Sequence, residues 1–172
     1  NDFNYLEIIN VATLSGLKIG RYTGTGLPGD STFNGTNSSD VTISTATTIA
    51  GPISVYGGDI AVNANLNTTA GGAAGDILLK ASGNITQANV SDMTTDGGDV
   101  IYWADSDADN AGYIAFGTTG GQDIITSGGD VIMAGGAGTT TPTGYAHGSA
   151  SARGVSLPMN STRGRIDTSN DG

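Results

Sequence analysis

The hexapeptide DSDADN places three aspartates at alternate positions, directly behind the strand-like segment that holds the chain's single tryptophan. Oxygen ligands suit Ca²⁺, so Asp105, Asp107 and Asp109 could turn three carboxylates towards one ion. The EF-hand pattern fails here, because Asn110 stands where glycine is expected and Phe116 where a bidentate glutamate is expected. The alternative is a solvent-exposed turn between two strands.

A binding surface is the second chemistry that this region could support. Trp103 points outward if Tyr102 points into the core, since adjacent strand residues face opposite sides. An exposed indole beside an acidic turn could stack on a sugar ring, with Asn110 at the edge of the same surface. The ring could equally pack beneath a neighbouring loop. The sequence leaves both alternatives open.

Catalysis is not indicated by any motif of the chain. Enzymes that cleave polysaccharides need clustered carboxylates, often together with Arg, Lys or Ca²⁺, whereas the carboxylates here lie mostly in predicted turns. The only histidine, His147, lies in a Gly-rich stretch without a nucleophile elbow. We therefore predict no enzyme, no catalytic residue and no cofactor-binding residue, and keep a carbohydrate-active or carbohydrate-binding protein as the alternative.

Composition narrows the range of partners. The 172 residues include 29 Gly, 16 acidic and 6 basic residues, with a net charge of -10 and no cysteine. Nucleic acid binding needs a clustered basic surface, which this chain lacks. Disulfides and thiolate metal sites are excluded. No apolar run approaches the ~20 residues of a membrane span, so we expect no membrane insertion of this segment.

A repeated unit supplies the elements that must position these residues. Four segments share Gly-Asp followed by a β-branched residue, and their aspartates are Asp59, Asp76, Asp99 and Asp130. The first, third and fifth residues after each Asp predict an inward face, and the second and fourth an outward one. Stacked in one column, the aspartates could form a ladder for cations. The alternative is that each carboxylate accepts N–H groups of its own turn.

Weaker copies of the strand pattern fill the gaps between these units. They are Leu17–Ile19, Asp40–Thr45, Pro52–Val55, Gly83–Thr86, Tyr113–Phe116, Gln122–Ile125 and Gly154–Leu157. Very short strands with like residues at equivalent positions favour a parallel β-helix over a β-sandwich. At ~20 to 25 residues per coil, the sequence predicts roughly seven irregular coils. Residues 1–172 would form one solenoid segment, in which residues 1–13 match no repeat.

Three stretches of the chain, GGDIAVNANLNTTAGGAAGDILLKASGNI, GGDVIYWADSDADNAGYIAFG and GGDVIMAGG, resemble the repetitive regions of very large secreted bacterial surface proteins. These include filamentous-haemagglutinin-like adhesins and the giant cell-surface adhesins of gliding Bacteroidetes. The resemblance implies a right-handed parallel β-helix, export to the cell surface, and a role in adhesion or as a stalk. We therefore expect a structural or adhesive part of a longer chain. Its expected partners are surface glycans, host or substratum surfaces, and further copies joined end to end.

Overall fold

The fold is built from fifteen short strands arranged in three parallel sheets. The computed structural model describes residues 14–20, 39–118, 121–148, 154–157 and 164–170. The first sheet contains β1 (Leu17–Ile19), β4 (Ile53–Gly57), β7 (Ile77–Ala81), β10 (Val100–Ala104) and β13 (Val131–Gly135). The second contains β2 (Val41–Ile43), β5 (Ile60–Val62), β8 (Ile85–Gln87), β11 (Ile114–Phe116) and β14 (Val155–Ser156). The third contains β3 (Thr47–Ile49), β6 (Leu66–Gly71), β9 (Met93–Asp96), β12 (Asp123–Ile125) and β15 (Arg165–Asp167).

This arrangement confirms the predicted parallel β-helix. Three consecutive strands make one coil, and each strand pairs in parallel with the strand three places later in the chain. The described residues form five coils, where roughly seven were predicted. The difference arises because equivalent corners lie from 19 to 42 residues apart, so several coils carry long insertions. Residues 1–13 lie outside the described part of the chain.

The core is a set of aliphatic columns that run through the stacked coils. In the first sheet, Ile53, Ile77, Val100 and Val131 share one register, and in the second sheet Ile60, Ile85 and Ile114 share another. Most of these side chains are fully buried, and Val131, in the last coil, is half-buried. The predicted inward positions are therefore confirmed. Stacking like residues at one register allows the interior to pack closely.

Four strands of the third sheet, β3, β6, β9 and β15, escaped the sequence pattern. In β6 and β9, and at the end of β12, one inward position is a buried threonine, namely Thr68, Thr95 or Thr126. Each hydroxyl donates to the carbonyl of a glycine in the following corner: Gly75 for Thr68, Gly98 at 2.5 Å for Thr95, and Gly129 at 2.5 Å for Thr126. A hydroxyl that is hydrogen-bonded can be buried at little cost, so alternation of apolar and polar residues does not reveal β6 and β9.

The four GGD aspartates do not form the single predicted column. Asp76, Asp99 and Asp130 precede β7, β10 and β13 of the first sheet, whereas Asp59 precedes β5 of the second sheet. The interval from Asp59 to Asp76 is thus less than one coil. GGD marks a corner that leads into a strand, and this corner occurs at more than one edge of the helix.

Each of the three corners instead carries a ladder of Asp or Asn side chains that links successive coils. The backbone N–H at a corner donates to the Oδ1 atom of the equivalent residue one coil earlier. The first ladder joins Asp99 to Asp76 (2.9 Å) and Asp130 to Asp99 (2.8 Å). The second joins Asp59 to Asp40 (2.9 Å), Asn84 to Asp59 (2.7 Å) and Tyr113 to Asn84 (3.2 Å). The third joins Asp92 to Asn65 (2.9 Å), Asp123 to Asp92 (2.9 Å) and Arg165 to Asp123 (3.0 Å).

These ladders correct the expectation that each carboxylate accepts N–H groups of its own turn. The acceptor serves the next coil, so stacked carboxylates stay close together because a backbone donor lies at each step. Asp76 shows the balance between these effects. Burial raises its pKa, the hydrogen bond from the Asp99 N–H lowers it, and the charge of the Asp99 carboxylate raises it again.

The glycines of the GGD unit are required by the close approach of successive coils. A Cβ atom on Gly98 would lie 2.5 Å from the carbonyl carbon of Gly75, and one on Gly129 would lie 2.1 Å from the oxygen of Gly98. Gly75, Gly98 and Gly129 therefore stack directly on one another. The repeat combines a glycine that permits contact with an aspartate that supplies the hydrogen bond.

Candidate functional site

The acidic loop, residues 105–110, connects β10 to the segment that enters β11. Asp105, Ala108 and Asn110 have φ values of 51°, 59° and 69°, so three non-glycine residues adopt left-handed backbone. The loop is closed by its own hydrogen bonds, since the Ala108 N–H donates to the Asp105 carbonyl at 3.0 Å and the Asn110 N–H to Asp105 Oδ1 at 3.2 Å. These short-range bonds hold the loop in a tight turn, which brings alternate side chains close to one another.

The three predicted metal ligands do come together. One carboxylate oxygen from each of Asp105, Asp107 and Asp109 lies within 4.8 Å of the other two. Asp105 is buried, while Asp107 and Asp109 are exposed. Ca²⁺ takes 6–8 oxygen ligands at 2.3–2.6 Å, so this trio could supply part of a coordination shell and water the rest. Asn110, assigned to the binding surface from sequence, is exposed at the end of the same loop.

Asp105 is the anchor of the acidic loop. Its side chain is 1 % exposed, and its Oδ2 atom lies 3.9 Å from Nε2 of His147. Burial raises the pKa of Asp105, whereas backbone N–H groups of the loop and the nearby His147 lower it. His147 is held there because its carbonyl accepts the Gly112 N–H at 3.0 Å. The single histidine thus lies beside the acidic loop, although nothing in its local sequence indicated a partner.

Trp103 is buried, which decides between the two alternatives that the sequence left open. It occupies an outward position of β10, yet only 1 % of it is exposed. The strap, residues 136–143, covers it: Trp103 Nε1 donates to the Gly136 carbonyl at 2.7 Å. The interpretation of this indole as an exposed platform for sugars is therefore wrong, because the ring packs beneath a neighbouring loop.

Lys80 lies beside Trp103 on the outward face of the first sheet and contacts the same strap. It occupies the outward position that pairs with Trp103, and its Nζ atom lies 3.7 Å from the centre of the indole ring. The same ammonium donates to the Gly138 carbonyl at 3.0 Å. Burial lowers the pKa of Lys80. The cation–π contact and the strap carbonyl together offset the partial burial of this charge.

An exposed aromatic residue near the acidic loop was missed from the sequence. Tyr145 is 82 % exposed and lies two residues before His147. Its backbone passes close to the end of β13, where Gly144 pairs with Gly135 in an antiparallel bridge. The signal available from sequence was an aromatic residue in a Gly-rich, strand-poor stretch. Tyr145, not Trp103, is the aromatic side chain that this region presents to solvent.

The fold and its ladders define a β-solenoid held together at its corners by Asp and Asn side chains. Comparisons with protein-family models, with curated proteins and with solved structures found no match to this chain. The likeness to bacterial surface adhesins therefore rests on the repeat residues quoted above. Within the described ranges, no helix is long and apolar enough to span a membrane.

Proposed function

We propose that this chain is a non-catalytic structural and adhesive segment of a large exported bacterial cell-surface protein. The observation that carries the proposal is the use of the corner side chains. Eight hydrogen bonds from the three ladders tie each coil to the next. An enzyme would place such polar groups around its substrate. Here they form hydrogen bonds between coils along the axis, which suits a stalk.

Surface exposure is the first test of this role. Antibodies raised against the purified chain should label intact cells of the source bacterium, with no need for lysis. A cytoplasmic protein labelled in parallel controls for cell integrity. Labelling that appears only after lysis would overturn the export part of the proposal.

Adhesion can be tested with beads that carry the purified chain. We expect such beads to be retained on glycan-coated or abiotic surfaces more strongly than beads carrying an unrelated acidic protein. Tyr145→Ala should reduce retention without lowering the melting temperature, because the side chain is 82 % exposed. Equal retention of the coated and control beads would contradict the adhesive part of the proposal.

A Ca²⁺-dependent binding module is the second candidate, and it is favoured by the convergence of Asp105, Asp107 and Asp109. A ligand that binds only the folded state of a protein raises the stability of that state. Ca²⁺ should then raise the melting temperature more than Mg²⁺ at the same ionic strength, and a combined Asp107→Asn and Asp109→Asn variant should lose the difference. A melting temperature that responds equally to both ions would count against this candidate.

The rival from another class is a carbohydrate-active enzyme. It predicts that the same three carboxylates act on a substrate, so incubation with neutral and acidic polysaccharides should release new reducing ends or unsaturated products. The structural proposal predicts no release above that of a heat-denatured control. Release that disappears in Asp105→Asn would favour the enzyme.

A further inference from the structure

The second sheet differs from the first in what it presents to solvent. Its outward column consists of small side chains, Thr42, Ala61, Thr86, Ala115 and Ser156, which stack in register from β2 to β14. The outward face of the first sheet, in contrast, carries Trp103 beneath the strap. Each of the five coils thus places a small side chain at this outward position of the second sheet.

Three members of this column, Thr42, Ala61 and Thr86, line a polar groove of about 200 Å³ together with the second ladder. Its floor includes Ala61 of β5. The polar groups that line it are Asp40, Thr42, Asp59, Asn84, Thr86 and Tyr113. From Asp40 to Tyr113 the ladder takes three steps between coils, which at ~4.8 Å each gives a length of about 14 Å parallel to the axis. The groove is therefore elongated along the stack of coils.

The lining groups suit a ligand that both donates and accepts hydrogen bonds. The ladder engages Oδ1 of Asp40 and Asp59, which leaves Oδ2 of each carboxylate outside the ladder. The amide nitrogen of Asn84 is a donor, because its Oδ1 already accepts the Tyr113 N–H. Threonine hydroxyls serve as both donor and acceptor, and the Tyr113 ring adds an amphipathic face at one end.

We infer that this groove binds a neutral linear oligosaccharide lying parallel to the solenoid axis. Sugar hydroxyls would donate to the two carboxylates and accept from the amide and hydroxyl groups, while one sugar face rests against the aromatic ring. Acidic glycans are disfavoured by the two carboxylates and by the net charge of -10. The groove is smaller than the ~300 to 1,000 Å³ of most small-molecule pockets, so we expect weak binding. This site deepens the proposed adhesive role and rests on it for its biological setting, although binding itself is a property of the purified chain.

The experiment is a titration of the purified chain with cello-, malto- and chito-oligosaccharides, followed by amide chemical shifts. At least one series should shift residues 40–42, 59–61, 84–86 and 113, with little change elsewhere. Ala61→Trp fills the groove floor and should weaken binding by tenfold or more. Thr94→Trp is the matched control, because Thr94 is an equally half-buried outward residue on the third sheet, and it should bind as the unmodified chain does.

A second variant protects the test against a folding defect in Ala61→Trp. Thr86→Val keeps the shape of the side chain and removes one hydroxyl, so binding should weaken severalfold while the melting temperature stays close to that of the unmodified chain. The inference is overturned if no neutral oligosaccharide shifts these residues at millimolar concentration. It also fails if binding survives Ala61→Trp, or if only Ca²⁺ or a lysine-rich peptide shifts them. Such a failure leaves surface labelling untouched, so it is distinguishable from a failure of the proposed function.

Discussion

At the scale of single residues, the ladders separate two properties of aspartate that usually act together, its hydrogen-bond acceptor and its charge. Asn65 and Asn84 occupy ladder positions and accept the next coil's N–H with a neutral amide oxygen. The charge is therefore not required for the ladder. In the first ladder the charge is unfavourable, because burial, and to a smaller degree the Asp99 carboxylate one coil away, raises the pKa of Asp76.

Substitutions of Asp76 test this separation. Asp76→Asn keeps the acceptor and removes a partly desolvated charge, so at pH 7 it should melt at a higher temperature than the unmodified chain. Asp76→Ala leaves the Asp99 N–H without its acceptor and should cost about 1 to 2 kcal/mol. Thermal melts of both variants provide the measurement, and an Asn variant as unstable as the Ala variant would contradict the ladder account.

The pH dependence of the same pair follows from the raised pKa. An aspartate with a raised folded-state pKa binds more protons when folded, so its contribution to stability falls as the pH rises from its unfolded value, 3.8, through the folded value. The advantage of Asp76→Asn should therefore disappear below about pH 3.8, where both side chains are neutral. An advantage that persists unchanged at lower pH would show that the charge is not its cause.

Trp103 offers a second test at this scale. Trp103→Ala should cost about 3 kcal/mol and expose the strap to proteases, because the indole fills the space beneath it and donates to the Gly136 carbonyl. Trp103→Phe keeps the ring contact, loses the hydrogen bond and should cost about 1 kcal/mol. Melting curves and limited proteolysis supply the readouts. Cleavage of the alanine variant at the rate of the unmodified chain would argue against the strap as a cover.

At the scale of elements, the corner glycines set the distance between coils. Gly98→Ala should lower the free energy of unfolding by about 3 kcal/mol, since the new Cβ would lie 2.5 Å from the backbone of Gly75. Neither of the two coils can move away without breaking the ladder. Gly71→Ala is the control, because the nearest atom to its Cβ lies at 3.8 Å and its φ is -69°. It should change stability by less than about 0.5 kcal/mol. Equal effects in the two variants would contradict direct stacking of the corner glycines.

The strands also show how much of the fold can be predicted from the sequence alone. The first two sheets were predicted because their inward residues are aliphatic in almost every coil, which produces clear alternation. In the third sheet, β6 and β9 were missed because Thr68 and Thr95 face inward, and their burial depends on glycine carbonyls in the following corner. A pattern based on polarity cannot anticipate a hydroxyl that is satisfied by another element.

The candidate site, too, could be predicted from the sequence only in part. The convergence of Asp105, Asp107 and Asp109 was predictable because alternate residues of one short loop can turn the same way. The sequence left open whether a loop covers Trp103, since the hydrogen-bond acceptor of the indole lies 33 residues further along the chain. The sequence also did not show that the four GGD aspartates lie at two different corners of the helix, and the reason is related. Identical GGD corners at two edges of the helix look alike in sequence and are distinguished only by the number of strands between them.

At the scale of the whole molecule, the ladders stack seven aspartates along the axis, namely Asp40, Asp59, Asp76, Asp92, Asp99, Asp123 and Asp130. Salt should therefore stabilise the chain. Raising NaCl from 0.01 M to 0.1 M shortens the Debye length from about 30 Å to about 10 Å and screens repulsion between coils. We expect the melting temperature to rise by a few degrees, and to rise less in a combined Asp76→Asn and Asp99→Asn variant. An unchanged melting temperature would mean that the backbone donors already neutralise the stacked charge.

The ladders also have a direction, since at every step an Oδ1 atom accepts a hydrogen bond from a backbone N–H of the coil that follows. A coil with matching inward residues and the right corner residues can therefore fit between two others, whatever the length of its loops. An in-frame duplication of one such unit in the gene would find an acceptor on one side and a donor on the other. Proteins of this kind can lengthen by copying what they already encode, and selection can then act on the loops while the joints remain unchanged.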